Sequence, residues 1–251
     1  MTYAGYFIDL DGTIYQGTKQ FPAGKRFIER LAASDSQYLF VTNNSTKTPA
    51  EVAENHDIPT TADQVYTSAM ATADYLATLP NVKRVLMIGE IGLRTALEAK
   101  GFELVSEAPA DAVAIGLDRE INYEKLVQAT LAIQNGAAFV ATNVDTNLPN
   151  ELGMLPGAGT LVAALRTAVQ KDPVVVGKPE TIIMNGALEL TGLTADQVVM
   201  VGDNYNTDIR AGLNAGIDTL LVYTGVSTKE QVAQEAQQPT HEVDSLDDWD
   251  I

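Results

Sequence analysis

Short apolar segments alternate with helical segments along most of this chain, and this alternation constrains the fold more than any other feature. The apolar segments at residues 6–8, 38–41 and 198–201 are continuous, with no polar residue between their members. Continuous apolar strands are typical of a sheet that is buried on both faces. Because strands separated by helices form right-handed crossover units, the sequence predicts an α/β fold with a doubly wound parallel sheet.

The middle of the chain repeats the same pattern. Residues 84–88, 112–117 and 138–142 are strand candidates, and residues 91–100 and 123–134 have helical spacing. Periodicity leaves two interpretations open: these residues continue one large sheet, or they form a separate α/β domain inserted into the chain.

Polar residues follow several apolar segments directly. Four strand candidates end in groups that can bind an anion or a metal ion: Asp9 and Asp11, Thr42 and Asn43, Lys178, and Asp203. The carboxyl ends of parallel strands meet at one edge of a sheet, which is where open α/β sheets bind their ligands. If the strands share a sheet, we expect these side chains to lie along that edge.

The charge balance narrows the classes of partner. The 251 residues include 16 Lys and Arg against 33 Asp and Glu, which gives a formal net charge of −17. This charge argues against nucleic acids and anionic membranes as partners, because both need basic patches that neutralise phosphates. The absence of cysteine excludes disulfides, thiol catalysis and cysteine-ligated zinc, and His56 and His241 are too few for a multi-histidine metal site. Carboxylates are plentiful, and they suit a hard cation such as Mg²⁺.

The sequence at residues 9–13, Asp-Leu-Asp-Gly-Thr, has two interpretations. Side chains alternate along a strand, so Asp9 and Asp11 point the same way and repel each other unless a cation or a proton intervenes. Asp-Gly is also common in turns, so these residues could form an ordinary strand-to-turn junction.

The other polar groups have structural alternatives too. Asp208 falls where a helix is expected to begin, and a negative charge there is favoured by the helix dipole. Thr42 and Asn43 suit a loop with an Asx turn, and a lysine such as Lys178 is usually an exposed surface charge. Taken one at a time, these residues leave the choice open.

Taken in order, the same groups resemble the motifs of the haloacid dehalogenase superfamily, namely DxDGT, a strand ending in Thr or Ser, a lysine, and GDxxxxD. The segments VTNNS, TSAMATADYL, ATNVD, PGAG, VGKP and VGDNYNTDI, which span nearly the whole chain, are similar to those of NagD-type, p-nitrophenyl phosphatase-like and acid sugar phosphatase-like enzymes. The resemblance implies a three-layer core of residues 1–79 and 173–251 with an inserted α/β cap domain of residues 80–172.

The resemblance also implies a Mg²⁺-dependent phosphatase that acts through an aspartyl-phosphate on a small phosphorylated metabolite, either a sugar phosphate or a nucleoside monophosphate. Asp9 would be the nucleophile, and Asp11 would protonate the leaving group and then activate water. Mg²⁺ would be bound by the Asp9 carboxylate, the Asp11 backbone carbonyl and the Asp203 carboxylate.

Further residues take supporting roles in this resemblance. Asp208 would hold a metal-bound water or Lys178. The phosphoryl oxygens would be bound by Thr42, Asn43 and Lys178. Asn143 and Asp145 are the candidates for substrate contact in the cap.

Three other functions fit part of the pattern. A dehalogenase of the same fold would not need Asp11 as an acid. A phosphomutase or phosphotransferase would share Asp9 and Asp11 but would pass the phosphoryl group to an acceptor other than water. A receiver-like phospho-acceptor without enzymatic activity would have about half this length and no inserted cap.

The chain shows neither a targeting segment at its start nor an apolar run near the ~20 residues of a membrane helix. We therefore expect a cytoplasmic protein whose partner is a small phosphorylated metabolite, with no nucleic acid and no membrane. Its oligomeric state is open between a monomer and a homo-oligomer formed through the cap.

Overall fold

The structure is a computed structural model that describes residues 3–17, 19–54, 58–150 and 152–251. His56 lies outside the described residues. Fifteen strands lie within them: β1 Gly5–Ile8, β2 Tyr15–Gln16, β3 Lys19–Gln20, β4 Gln37–Thr42, β5 Val65–Thr67, β6 Arg84–Ile88, β7 Glu103–Val105, β8 Ala112–Ile115, β9 Ala138–Ala141, β10 Asn147–Asn150, β11 Gly153–Pro156, β12 Val174–Val175, β13 Val198–Gly202, β14 Asp218–Val222 and β15 His241–Val243.

Nine α-helices lie in the same described ranges: α1 Pro22–Ala32, α2 Pro49–Ala53, α3 Ser68–Thr78, α4 Ile91–Ala99, α5 Tyr123–Gln134, α6 Ala158–Val169, α7 Thr181–Thr191, α8 Arg210–Ala215 and α9 Lys229–Val232. A π-helical turn, Tyr205–Ile209, precedes α8. None of the helices in these ranges combines the length and the apolar character that a membrane crossing requires.

The chain divides into two compact units. The first consists of Met1–Thr42, Ala50–Tyr66 and Lys178–Ile251, and the second of Asn43–Pro49 and Thr67–Gly177. The second unit therefore extends beyond the predicted cap of residues 80–172, because α3 packs against α4 and β12 pairs with β9. It also includes Asn43–Pro49, a stretch that the sequence prediction placed in the core. That this unit acts as a cap stays a prediction.

The first unit is built on a six-stranded sheet in the order β5-β4-β1-β13-β14-β15. Strand β1 pairs in parallel with β4 on one side and with β13 on the other, and β14 and β15 continue in parallel. The chain winds outward from β1 in one direction and then returns to wind in the other, so the strand order reverses between β1 and β13. This arrangement confirms the predicted α/β class with a doubly wound parallel sheet.

Helix α1 shows how the sequence builds the core of this unit. Pro22 occupies the start of the helix, where its fixed φ angle fits and no hydrogen bond is lost. Phe27, Ile28 and Leu31 follow at helical spacing, and all three are buried against β-strand residues such as Tyr6. The guanidinium of Arg30 donates to two backbone carbonyls of the C-terminal segment, which holds that segment on α1.

The second unit has its own five-stranded parallel sheet in the order β7-β6-β8-β9-β12. Its strands and its helices α5 and α6 share one apolar core. The predicted bounds agree with β6 and α5 at both ends. Several short elements were not predicted, among them strands β5, β7 and β15, helix α9 and the two-stranded hairpins β2–β3 and β10–β11. In the last of these hairpins, the second strand, Gly153–Pro156, is exposed along its whole length.

We expect Phe27→Ala to lower the free energy of unfolding by about 3–5 kcal/mol, because the phenyl ring is fully buried and its removal leaves a cavity. Urea denaturation followed by circular dichroism measures the change. Leu190→Ala, on α7 of the same unit, is the control: its side chain is 53% exposed, so the expected change is below about 0.5 kcal/mol. Equal losses in the two variants would contradict the assigned core.

Candidate active site

The candidate active site lies at the carboxyl ends of β1 and β13, where the strand order of the first sheet reverses. Asp9 follows β1 and Asp203 follows β13, and the backbone N–H of Asp9 donates to the carbonyl of Val201 at 2.9 Å. Thr42 is buried at the end of β4, the other neighbour of β1. Three predicted site residues therefore meet at neighbouring strand ends, which is the ligand-binding edge of a doubly wound sheet.

Three buried carboxylates form the centre of this site. Asp9, Asp203 and Asp208 each offer one oxygen, and these oxygens lie within 4.8 Å of one another. All three residues are buried. Like charges this close and this far from water repel strongly, so the cluster requires bound protons or positive charge.

Lys178 supplies a positive charge inside the cluster. Its side chain is 2% exposed, and its Nζ lies 2.5 Å from Oδ1 of Asp9 and 2.8 Å from Oδ1 of Asp208. Burial alone would lower the pKa of Lys178, but the charges of Asp208 and Asp9 outweigh burial and raise that pKa. Lys178 is therefore a buried, charged group, and it differs from the exposed surface lysine that was the alternative interpretation.

One ammonium does not balance three carboxylates. Burial raises the pKa of Asp9 well above its ordinary value; Lys178 lowers it, and Asp208 and Asp203 raise it again. Burial and the charge of Asp208 together raise the pKa of Asp203 to about 7, against the opposing hydrogen bonds from Val226 and Thr13. Burial thus favours the protonated forms of Asp9 and Asp203, and a second cation would favour their charged forms.

The donor set fits a hard divalent cation. Every member of the cluster is a carboxylate, and oxygen donors are those that Mg²⁺ prefers. When all of these groups are charged, the three carboxylates outweigh the single ammonium of Lys178. One divalent cation would neutralise the remaining negative charge. Of the three, Asp9 and Asp203 belong to the predicted metal-binding set, whereas Asp208 was predicted to hold a metal-bound water or Lys178 and lies 2.8 Å from the Lys178 ammonium.

Asp203 is fixed by neighbours from two other loops. Thr13 donates its hydroxyl to Oδ1 at 3.2 Å, and the backbone N–H of Val226 donates to Oδ2 at 2.7 Å. Gly12 has a φ of +96°, and a Cβ atom there would lie 2.5 Å from the Asp203 carboxylate. Only glycine satisfies both the turn and the close approach, which explains its place in the motif.

Asp208 lies on the π-helical turn Tyr205–Ile209. Its Oδ2 accepts from the backbone N–H of Asn204 at 3.1 Å, and its Oδ1 faces Lys178. A π turn holds one more residue than an α turn, and such turns are frequent at functional sites. Asp208 therefore lies near the start of a helix and also contacts Lys178. Both the helix-dipole interpretation and the supporting role at the site describe part of its environment.

Asp11 stands apart from the buried cluster. Its side chain is exposed, and its Oδ1 accepts a long hydrogen bond from the backbone N–H of Gly17 at 3.4 Å. Partial removal from water raises the pKa of Asp11, and the Gly17 contact opposes that rise. A carboxyl group that keeps its proton more readily than usual suits the predicted acid role.

Asn43 lies in the second unit together with the two predicted substrate-contact residues. Its side-chain amide donates to both carboxylate oxygens of Asp145, at 3.2 and 3.1 Å. Its backbone carbonyl accepts from Asn143 at 2.8 Å and from Ser68 at 2.7 Å. The structure therefore joins Asn143 and Asp145 to Asn43. The expected Asx turn is formed by the next residue, Asn44, whose Oδ1 accepts from the N–H of Thr46 at 2.8 Å.

Comparison with known proteins agrees with this geometry. A family model described as haloacid dehalogenase-like hydrolase matches residues 6–103, and a second, described as HAD-hydrolase-like, matches residues 175–249. The 5'-nucleotidase YutF of Bacillus subtilis is 47% identical over 251 residues, which cover 99% of this chain and 98% of that protein. The chain belongs to the haloacid dehalogenase-like hydrolase family.

Solved structures of this family of hydrolases share the whole fold. A double mutant of the thermostable NPPase from Geobacillus stearothermophilus matches with a TM-score of 0.93 and 49% identity, covering 99% of this chain and 98% of that one. The glycerol phosphate phosphatase Rv1692 from Mycobacterium tuberculosis, in complex with magnesium, matches with a TM-score of 0.91 and 36% identity, covering 98% of this chain and 76% of that one. The predicted resemblance and the predicted enzyme class, a phosphatase, are confirmed.

Sequence reasoning missed several residues that support the site of this haloacid dehalogenase-like hydrolase. Thr13 and Val226 bind Asp203, and the Thr224 hydroxyl donates to the carbonyl of Gly12 at 2.7 Å. Thr224 lies two residues after the end of β14 at Val222, at the same edge as the acidic residues. That position was the available signal, because strand-end residues of one sheet meet at one edge.

We expect the metal-free protein to be more stable at pH 5 than at pH 8. The pKa of Asp203 is about 7 when folded, above its ordinary value of 3.8, so the folded state binds this proton more tightly than the unfolded chain. The resulting stability is fully present below the ordinary pKa and is lost as pH rises through 7, with an expected loss of about 2 kcal/mol. Urea denaturation in EDTA across this range measures it. Asp203→Asn is the comparison variant, and an unchanged slope in it would contradict the assignment.

We expect Lys178→Met to destabilise the metal-free protein at pH 7 by about 3–5 kcal/mol, because it leaves buried carboxylates without their cation. Lys229→Met is the matched control: its ammonium pairs with Asp244 at the surface, where the expected loss is below about 1 kcal/mol. Thermal and urea unfolding of both variants provide the test. A Lys178 variant as stable as the parent would show that the carboxylates do not depend on the ammonium.

Proposed function

We propose that this protein hydrolyses small phosphate monoesters through a covalent intermediate on Asp9. The observation that carries the proposal is the position of Asp9: a buried carboxylate at the reversal point of the sheet, 2.5 Å from the Lys178 ammonium and within 4.8 Å of two further carboxylates. A nucleophilic carboxylate must be ionised, and Lys178 favours that form. The rest of the cluster supplies ligands for a cation that favours it further.

The proposed reaction has two displacements at phosphorus. An oxygen of Asp9 forms a bond to phosphorus while the bond to the leaving oxygen breaks, and Asp11 gives its proton to that oxygen as the alcohol departs. Asp11, now ionised, takes a proton from water as the water oxygen attacks phosphorus. The bond between Asp9 and phosphorus breaks, which releases inorganic phosphate and restores both carboxyl groups. The raised pKa of Asp11 supports the first of its two roles.

Three sets of residues would bind the charged groups. Mg²⁺, held by Asp9, the backbone carbonyl of Asp11 and Asp203, would neutralise the phosphoryl oxygens when bound. Thr42, Asn43 and Lys178 would donate hydrogen bonds to the same oxygens. Asp208 orients Lys178 at 2.8 Å, so its carboxylate would keep the ammonium aimed while the substrate enters. Catalysis would rest on positioning and charge neutralisation.

The proposed substrate class is a small phosphate monoester, either a sugar phosphate or a nucleoside monophosphate. The similar proteins support this class, since their names refer to a nucleotidase and to a glycerol phosphate phosphatase. A net charge of −17 is compatible with one phosphoryl group, because Lys178 and a divalent cation reverse the sign locally. The second unit would act as the cap that selects the leaving group.

A phosphotransferase is the alternative, since the first displacement would be the same. The two differ in the acceptor of the second displacement. Adding an alcohol such as glycerol to the assay separates them: a hydrolase releases inorganic phosphate in step with the leaving group, whereas a transferase releases less phosphate than leaving group.

We expect the purified protein with Mg²⁺ to release inorganic phosphate from p-nitrophenyl phosphate, and EDTA to stop the release. Asp9→Asn keeps the shape of the side chain but removes the attacking charge, so turnover should fall about 1000-fold or more. Mass spectrometry of acid-quenched enzyme should find the phosphoryl group on Asp9 in the parent protein.

Asp63→Asn, at an exposed position of the same unit, is the control and should retain full turnover. Robust turnover by Asp9→Asn would exclude the mechanism. A panel of sugar phosphates and nucleoside monophosphates, ranked by kcat/KM, then identifies the preferred leaving group.

A further inference from the structure

The second unit has a ligand-binding edge of its own. In chain order its strands stand as second, first, third, fourth and fifth across the sheet, so the strand order reverses between β6 and β8. Doubly wound sheets with this order bind their ligands at the carboxyl ends of the two strands beside the reversal. The loops found there in this chain begin at Gly89, after β6, and at Gly116, after β8.

A piece of the chain itself lies at this edge. We call Asn43–Pro49 the connecting segment, because Thr42 before it and Ala50 after it both belong to the first unit. The backbone N–H of Gly92 donates to the carbonyl of Thr46 in the connecting segment at 3.1 Å. A Cβ atom on Gly116 would lie 2.6 Å from the hydroxyl of Ser45. The connecting segment therefore packs on the backbone beside the reversal point, where a bound ligand would lie in a related sheet.

Asn43, the first residue of the connecting segment, is also bound by residues of the second unit. Ser68 and Asn143 donate to the backbone carbonyl of Asn43, and Asp145 accepts from its side-chain amide. Asn143 is itself buried, and its Oδ1 accepts from the backbone N–H of Asp145 at 3.1 Å. These contacts hold Asn43 on residues of the second unit.

We propose that the connecting segment is an internal ligand of the second sheet, and that Gly92 and Gly116 are positioning residues for Asn43. The inference rests on the proposed function, in which Asn43 binds the phosphoryl group. The glycines touch no substrate; they allow Ser45 and Thr46 to approach the sheet, and Asn43 is only two residues before Ser45. A change at this edge of the second unit would therefore weaken phosphate binding for every substrate alike.

Gly116→Ala tests the proposal, because a glycine has no side chain whose loss could remove a substrate contact. The added methyl group displaces Ser45 and, through it, Asn43. We expect KM for p-nitrophenyl phosphate and for adenosine monophosphate, and Ki for inorganic phosphate, all to rise by the same factor of about ten, since a shift of about 1 Å can cost up to a hundredfold. A role in selecting leaving groups would instead change the two KM values by different factors.

Two further variants locate the effect. Gly89→Ala is the matched control: it lies directly after β6 beside the same reversal point, and the atoms nearest to its added Cβ all belong to the side chain of Leu93 on α4. Leu93 is buried, so the added methyl group overpacks its surroundings and lowers stability. The clash lies outside the connecting segment, so KM and Ki should stay within about twofold. Adding Ser45→Ala to Gly116→Ala removes the hydroxyl that meets the new methyl group and should recover part of the lost affinity. If the affinity does not recover, the methyl group clashes with Thr142, which directly follows β9, and not with Ser45. That result would overturn the proposal.

Hydrogen exchange of the Gly92 N–H, followed by NMR, tests the packing without any catalytic readout. We expect slow exchange in the parent protein and in Gly89→Ala, and faster exchange in Gly116→Ala, because the acceptor on Thr46 moves away. Retained protection in a folded Gly116→Ala would overturn the proposal, and so would lost protection with an unchanged Ki for phosphate. A parent protein that neither binds phosphate nor hydrolyses the esters, with the exchange pattern as expected, would contradict the proposed function while keeping the internal ligand.

Discussion

The buried ammonium group of Lys178 is the interaction on which the site in the first unit depends. Three carboxylates converge where the first sheet reverses its strand order, and Lys178 contacts two of them. Without this cation the same residues would have to be protonated or solvated, and neither state suits the nucleophilic role proposed for Asp9. With it, the cluster remains short of positive charge by an amount that one divalent cation supplies. The strongly acidic composition of the chain is therefore no obstacle to an anionic substrate, because the sign of the charge is set locally.

The two units share one sheet topology, but different groups lie where the strand order reverses. Each is a doubly wound parallel sheet with a reversal in strand order, beside β1 and β13 in the first and beside β6 and β8 in the second. In the first, the reversal point gathers acidic side chains. In the second, the connecting segment packs at the equivalent edge. A fold that commonly binds a separate molecule thus binds a part of its own chain, and that part begins with a residue predicted to bind phosphate.

The sequence predicted most of the residues that meet at the candidate site but few of the contacts among them. Burial determines where apolar residues recur, so the pattern predicted both ends of β6 and of α5 correctly. The polar residues at the strand ends indicated Asp9, Thr42 and Asp203. The resemblance implied the contact of Lys178 with Asp208, but its pairing with Asp9 was not predicted, because Asp9 lies 169 residues away and periodicity carries no information about such pairs. The π turn at Asp208 and the attachment of Asn43 to Asn143 and Asp145 depend on tertiary packing in the same way. The short β7 and the hairpin strands were missed because they bury too little apolar surface to leave a pattern.

The segmented first unit has a consequence for the order in which the protein is made. Strand β1 leaves the ribosome before the other strands of its sheet, and its neighbour β13 follows about 190 residues later. Most of the second unit, Thr67–Gly177, is continuous and is synthesised before that neighbour exists. The pairing of β1 with β13 at the centre of the first sheet therefore forms only after most of the second unit has been made, and until then a fully apolar strand with one open edge needs protection from pairing with other chains. A chaperone that shields β1 during synthesis would act on the strand that directly precedes Asp9, the proposed nucleophile.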